Sequence, residues 1–362
     1  MAEASIKQYL FRKAAAKRIP VSGSFELTPR CNMRCKMCYI ARRKDDAAAL
    51  KGELSREEWL RLGREAASAG MVYLLLTGGE PLLRPDFLSL YSDLASLGLM
   101  LSVNTNATLV NEAVAECLRR FPPETVNVTL YGMSADTYGR LSGAPGGFDA
   151  AVRGILMLRD AGIRLTLNTT FTKANVCDLD AIVAFAKEEK IPVRMNAYLF
   201  PPVRKEAPGD EAAVFLTPEE AGEAAARFDL LTLTDEVRDR RRSLIRTLRK
   251  GSMPDTLPEE GRISSCMAGR GSFWITWEGK MYACGMMTEH AVDVRKMPFT
   301  EAWQLTAEYM SHLRLPPECL VCPYGSICAS CAAVTLATEG ASDKKPEALC
   351  RRTEAYARAF TE

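Results

Sequence analysis

The chain has 362 residues, with 47 basic and 45 acidic side chains and a formal net charge of +2 at pH 7. With no dense Lys/Arg patch, a nucleic-acid partner is not expected, and no apolar run approaches the roughly 18 residues of a membrane span. The basic, amphipathic N-terminus lacks the apolar stretch of a signal peptide, so a cytoplasmic location is expected, and there twelve cysteines argue for metal rather than disulfides.

Residues 1–21 read as a helical N-terminal extension. From 22 to 204, strand-like and helix-like segments alternate. The predicted strands are Ser24–Thr28, Val72–Thr77, Leu99–Asn104, Thr125–Tyr131, Ile163–Phe171 and Val193–Phe200. The predicted helices lie near 55–69, 85–97, 110–121, 147–161 and 178–189, the first opened by the capping box Ser55-Arg-Glu-Glu58. Six βα units in roughly 180 residues fall short of the roughly 250 that a closed eight-fold barrel takes. The expected fold is therefore α/β, a partial (β/α)6 TIM-like barrel with its chemistry in loops at the carboxyl ends of the strands. No internal repeat or low-complexity tract interrupts it. The only two histidines, His290 and His312, lie far from these loops. A histidine base or a Cys–His dyad is therefore not expected, and the chemistry points to a cofactor.

The loop after the first strand carries Cys31, Cys35 and Cys38, a C-x3-C-x2-C spacing. Three thiolates so close can converge on one metal centre but cannot complete it. A structural zinc takes four ligands. A [4Fe–4S] cubane with three cysteines keeps one iron open for a small molecule. A zinc knuckle and three unrelated buried thiols are the plainer readings. The next loop, Thr77-Gly78-Gly79-Glu80-Pro81, lets backbone approach a ligand and offers amide edges, though Gly-Gly and Glu-Pro also suit an ordinary tight turn.

Together these motifs resemble those of the radical S-adenosylmethionine (SAM) enzymes, and the C-terminus resembles their SPASM subgroup. The resemblance covers roughly residues 20 to 352. It implies that the open iron chelates the amino and carboxylate groups of SAM, and that one electron then releases a 5′-deoxyadenosyl radical. Gly78, Gly79, Glu80 and Pro81 match the family's GGE(P) motif, where the backbone and the acid at Glu80 receive the SAM amino group. Asn104-Thr105-Asn106 is similar to the TNG segment, with Ala107 in place of glycine. Thr129 and Tyr131 stand where an SxDG segment often has serine and aspartate. Strand parity places Asn104 with Ser102, and Asn168 with Thr166 and Thr170, inside the barrel. Ser142 stands where many members carry arginine, which leaves Arg153 as a candidate partner for the SAM carboxylate. Cys177, just after the fifth strand, is a candidate hydrogen-atom donor, as in some epimerases of this superfamily. Cys117, on an amphipathic helix, reads as packing.

Residues 205–258 read as a helical bridge, with a polar linker at Lys205–Glu211, a helix opened by Thr217-Pro-Glu-Glu220 and a second helix over Leu230–Lys250. The basic run Arg238–Lys250 reads as a solvated helix face. Residues 259–362 hold Cys266, Cys284, Cys319, Cys322, Cys328, Cys331 and Cys350. Phe273–Trp277 and Lys280–Tyr282 flank Glu278-Gly279 as a hairpin that brings Cys266 and Cys284 towards each other. The spacing is similar to that of SPASM domains, small cysteine-rich α+β units holding one or two auxiliary [4Fe–4S] clusters. Carried over, Cys319, Cys322, Cys328 and Cys350 would ligate one cluster, and Cys266, Cys284 and Cys331 the other, one thiolate short. Cys328 and Cys331 are closer in sequence than the family's usual spacing. A zinc ribbon is the structural alternative.

The resemblance implies an enzyme that takes hydrogen from a substrate, in the first reading a ribosomally made peptide that it crosslinks, epimerises or oxidises. It also implies a low-potential electron donor of flavodoxin or ferredoxin type. Because about twenty residues precede the barrel, leader recognition is expected from the 205–258 bridge or a separate protein. A formylglycine-type sulfatase maturase, a small-metabolite dehydrogenase and a zinc-stabilised scaffold are the other readings.

Overall fold

Along Met100–Thr105, Thr125–Thr129 and Leu165–Thr170, branched residues alternate with small polar ones, and this alternation builds the middle of the barrel. In the computed structural model, which describes residues 6–362 apart from 41, 200, 203, 205–212, 255, 260, 262–265 and 329, six strands lie parallel. They are β1 (Ser22–Glu26), β2 (Tyr73–Thr77), β3 (Met100–Thr105), β4 (Thr125–Thr129), β5 (Leu165–Thr170) and β6 (Val193–Asn196). Phe25, Leu74, Leu76, Leu101, Val103, Val126, Val128 and Leu167 point outward into one apolar cluster. The helices α2 (Arg56–Ser68), α3 (Phe87–Ala95), α4 (Glu112–Arg120), α5 (Ala135–Ser142), α6 (Gly147–Asp160) and α7 (Leu179–Glu188) follow the strands. Trp59, Leu62 and Ala66 form the buried face of α2 at helical spacing, and its capping box at Ser55 and Glu58 is made in both directions. Ahead of β1, α1 (Ile6–Lys17) reaches the barrel through Lys7, which pairs with Glu124 and lies over the Tyr73 ring.

Phe200, expected to end the sixth strand, and the linker Lys205–Glu211 lie outside the described residues. Beyond them come α8 (Pro218–Thr232) and α9 (Asp235–Leu248), separated at Leu233 and Thr234. The hairpin is shorter than expected: β7 (Ser272–Ile275) and β8 (Lys280–Tyr282) pair antiparallel around Gly279, whose φ of +80° suits glycine. It also does not stand apart from the barrel. β7 pairs in parallel with β1, Ser22 opposite Ser272, and with β9 (Val292–Asp293) the sheet becomes nine-stranded in the order β9-β8-β7-β1-β2-β3-β4-β5-β6. Phe273 accordingly packs edge-on against Phe299 of α10 (Phe299–His312), inside the barrel's own apolar cluster.

Two further helices, α11 (Ala332–Glu339) and α12 (Glu347–Thr361), complete the chain. α12 lies against α8 at a crossing that Gly222 makes possible, since a Cβ there would sit 2.3 Å from the Arg352 carbonyl oxygen and 2.8 Å from the Tyr356 nitrogen. Backbone cannot yield as a flexible side chain can. Gly222→Val is expected to destabilise the protein by about 1–3 kcal/mol, read as a lower denaturant midpoint. An unchanged midpoint would show that the two helices separate at no cost.

Candidate cofactor site and barrel lumen

Three βα loops are bound to one another at the carboxyl end of the sheet. Gly79 N–H donates to the Thr28 carbonyl at 2.7 Å and Glu80 N–H to the Arg30 carbonyl at 2.9 Å, clasping the chain just before Cys31. The clasp is close: a Cβ on Gly78 or Gly79 would lie within 2.4 Å of the Thr28 or Arg30 carbonyl oxygen. The Glu80 carboxylate is fully buried and accepts from Asn106 N–H (2.7 Å), the Thr105 hydroxyl (2.8 Å) and Leu82 N–H (3.1 Å). Asn106 then donates to Asn32 Oδ1 at 2.9 Å and reaches the Cys31 sulfur at 3.8 Å. Burial pushes the Glu80 carboxyl up to about 7, against three hydrogen bonds that favour the charged form.

The cysteine loop is held from below and from the side. Arg30 donates to both carboxylate oxygens of Glu53 (2.7 and 3.2 Å), and Thr28 bonds the same carboxylate. Arg84 joins them from the second loop, 3.5 Å from Glu53, while donating to the Leu27 and Leu54 carbonyls. Arg34 N–H and Lys36 N–H donate to the Ser142 and Leu141 carbonyls at the end of α5. Burial pushes the Cys31 thiol up to about 12 and Cys35 well above its ordinary range, each further raised by charge on the neighbouring cysteines. The Tyr131 hydroxyl bonds the Cys35 sulfur. Among the described residues, no three His, Cys, Asp or Glu side chains gather around one point as a single ion requires.

The site differs from expectation in several places. The amides of Gly79 and Glu80 are not exposed edges, and the Glu80 carboxylate is saturated by protein donors. What the second loop leaves free is the carbonyls of Gly78 and Gly79, which accept no hydrogen bond among the described residues. Arg153 is exposed on α6, in the outer layer of helices, so it is not placed against the cysteine loop. Ser142 is buried and its hydroxyl accepts from Ala144 N–H. Cys177 is exposed, its sulfur 3.7 Å from Asp178 Oδ1, and it is not in the lining of the lumen cavity described below, so its placement does not suit a hydrogen donor. Cys117 packs against Ser92 and the Leu88 carbonyl.

Inside the barrel, Asn104 donates to Thr77 at 3.3 Å and accepts from Asn127 at 3.0 Å, a polar line across β2, β3 and β4. The buried Asn127 Oδ1 has no partner among the described residues. Thr129 stands opposite Asn168, which stands opposite Arg194. Below this level a cavity of about 570 Å³ is bordered by Ser24, Ser102, Asn127, Thr166 and Arg194, and also by Cys266 and Cys284. Cys284 feels the charges of Cys331 and Cys266, so these three are neighbours. Cys319, Cys322, Cys328 and Cys350 line a separate cavity of about 260 Å³. Burial pushes the Cys350 thiol up to about 11.

One assembly was not foreseen. The Glu26 carboxylate at the top of β1 is fully buried and accepts from Arg204 (2.9 and 2.6 Å) and from the Trp274 indole N–H (3.0 Å). The Arg204 guanidinium stands over the rings of Tyr39 (5.1 Å) and Trp274 (6.0 Å). Isolated in sequence, Glu26 and Arg204 gave no signal beyond Glu26's inward parity on a strand.

With this geometry in place, comparison with known proteins is direct. The Radical SAM superfamily pattern matches residues 25–186. An AdoMet-dependent heme synthase of Methanosarcina barkeri is 30% identical over 331 residues, 88% of this chain and 92% of that protein. The chain belongs to the radical SAM superfamily. It is therefore an enzyme, and membership brings SAM and a [4Fe–4S] cluster. An Fe-coproporphyrin III synthase of the same organism is 29% identical over 85% of this chain and 79% of its own length. A PqqA peptide cyclase of Rhizobium meliloti is 31% identical over 46% of this chain and 44% of its own length. Among solved structures, anSMEcpe with bound AdoMet superposes with a TM-score of 0.70 at 15% identity, covering 94% of this chain and 93% of that one. This shows the shared fold, and no described helix is long and apolar enough to cross a membrane.

The residues suit the cluster: burial raises the Cys31 and Cys35 thiols, which give up their protons readily to a cationic centre, with Cys38 beside them and carbonyls open to an ammonium next to them. Glu80→Ala would leave two amides and a hydroxyl without an acceptor. It is expected to cost about 3 kcal/mol, measured by denaturation, and to lower the iron retained. Full iron content and an unchanged midpoint would show that the loops are held by other contacts.

Proposed function

We propose that Cys31, Cys35 and Cys38 hold the [4Fe–4S] cluster, and that the Gly78 and Gly79 carbonyls receive the amino group of SAM. In this reading the enzyme oxidises a carboxylate-bearing iron tetrapyrrole. When bound, the cluster and SAM supply a 5′-deoxyadenosyl radical. The chain's own work is to hold that chemistry still. Glu80 and Asn106 fix the cysteine loop, Asn104, Thr129 and Asn168 offer polar contacts above the lumen, and the Tyr131 hydroxyl sits on the Cys35 sulfur. The substrate reading rests on the extent of similarity. The relatives named for heme and Fe-coproporphyrin III match through the C-terminal half, whereas the peptide cyclase matches less than half of the chain.

The chemistry balances. Coproporphyrins bear propionate side chains where heme bears vinyl groups. Taking one hydrogen atom from a propionate leaves a carbon radical, and its collapse to a vinyl group releases carbon dioxide and one electron. That electron needs an acceptor, the role this reading gives to auxiliary clusters at Cys266, Cys284 and Cys331 and at Cys319, Cys322, Cys328 and Cys350. The first electron needs a donor of flavodoxin or ferredoxin type. Modification of a peptide remains the second reading, favoured by the 31% identity over 46% of this chain to the PqqA peptide cyclase.

The test is anaerobic turnover of the iron-loaded protein with SAM and a strong reductant, followed by mass spectrometry. Iron coproporphyrin III is expected to lose carbon dioxide and two hydrogens per reacting side chain, with 5′-deoxyadenosine formed. Replacing Cys31, Cys35 and Cys38 by alanine is expected to abolish 5′-deoxyadenosine and remove one cluster's iron. Cys177→Ala is expected to leave both unchanged. Turnover of a peptide but not of the porphyrin would overturn the tetrapyrrole reading in favour of the second.

A further inference from the structure

Beside the open edge of the barrel lies a second cavity that the reaction as described does not use. It encloses about 630 Å³ between β6, α8, α9 and α12. Its lining mixes apolar side chains, Met195, Phe228, Leu244 and Ile327 among them, with polar ones, and it is edged by Arg194, Arg241 and Arg352. Arg194 borders the lumen cavity as well, so the two spaces meet at that side chain.

The charges here are not balanced. Asp229, the cavity's one carboxylate, accepts from the Tyr356 hydroxyl at 2.7 Å and pairs with Arg241, which also donates to Tyr356 at 3.0 Å. On the lumen side Glu124 is paired with Lys7. Arg194 has no hydrogen bond or ion pair among the described residues, and neither does Arg352, whose Nε is buried without a partner. A buried donor left unpaired is costly, and an arginine fork matches a carboxylate in two parallel bonds. A cavity that sets apolar side chains beside two unpaired guanidinium groups is complementary to a flat molecule with an apolar body and carboxylates at its rim.

We infer that Arg194 and Arg352 form a carboxylate-binding subsite that anchors propionate groups of an iron tetrapyrrole along this wall, while the reacting side chain reaches the lumen past Arg194. The inference rests on the tetrapyrrole reading and adds the residues that hold the substrate. Neither arginine touches the cysteine loop, so they act in binding and orientation.

Absorbance titration of the iron-loaded enzyme with iron coproporphyrin III, and with its tetramethyl ester, tests it. The wild-type protein is expected to bind the acid more tightly than the ester. Arg194→Gln and Arg352→Gln are each expected to weaken the acid about ten-fold and to leave the ester unchanged, and Arg352→Lys should recover part of the loss. Arg194 is exposed, so its variant tests the site even if Arg352→Gln folds poorly. If the wild type binds the porphyrin and both glutamine variants bind it equally well, this subsite is wrong and the tetrapyrrole reading stands. If the wild type does not bind the porphyrin, both fall.

Discussion

A carboxylate shut away from water holds the cysteine loop in place. Glu80 receives donors from the third βα loop while its own backbone donates to the first, so a single side chain fixes the spacing of three loops. An unpaired charge in such a position would be strongly destabilising, and it persists because each oxygen has a donor. Glu53 does the same beneath the loop with Arg30 and Arg84, and Glu26 does so beside it with Arg204 and Trp274. Three buried acids, each at a junction between segments distant in sequence, keep the thiols together before any metal arrives. This is the rigidity that a site aimed at a small bound molecule needs.

Much of this was legible from the chain alone. The six strands, the capping box at Ser55 and the helix start at Thr217 are local patterns, and the structure makes a full capping box at both positions. Asn104 and Asn168 face the lumen because parity on a strand is a two-residue rule. What escaped is long-range or depends on the direction of one side chain. Gly78, Gly79 and Glu80 were recognisable as a motif, yet that the amides would clasp Thr28 and Arg30 depends on the packing of two loops. Cys177 and Arg153 have suitable positions in sequence, but nothing local tells which way they point. The place of α12 depends on a glycine more than a hundred residues earlier, at Gly222.

The parallel pairing of β7 with β1 explains why the C-terminal cysteines belong to the same working unit as the barrel. It carries Trp274 to Glu26 and lays the indole on Gly285, where a Cβ would lie 2.7 Å from the ring. Gly285 follows Cys284, and Tyr39 follows Cys38. The two cysteine sets are thus joined through Tyr39, Arg204 and Trp274 around one buried carboxylate. A shift of the hairpin by one residue would turn Trp274 away from Glu26 and leave that charge short of a donor, so the register is selected by the cost of the alternative.

The polarity of the lumen follows from the number of strands. In a closed eight-stranded barrel, layers of branched side chains fill the interior and no room remains. Six strands that do not close leave a wider trough that valine and leucine could not fill without voids. Serine, threonine and asparagine share its lining with apolar residues such as Leu75 and Phe273, and their hydrogen bonds run from strand to strand, as from Thr77 through Asn104 to Asn127. Such a surface costs little when wet and can exchange its water for a substrate. The same openness leaves β6 as an exposed edge, and edge strands need covering. Here α8 packs beside β6, and the cavity edged by Arg194 and Arg352 lies along that seam, between β6, α8, α9 and α12. An unclosed sheet thus supplies both the trough in which chemistry takes place and the margin along which a large substrate can lie.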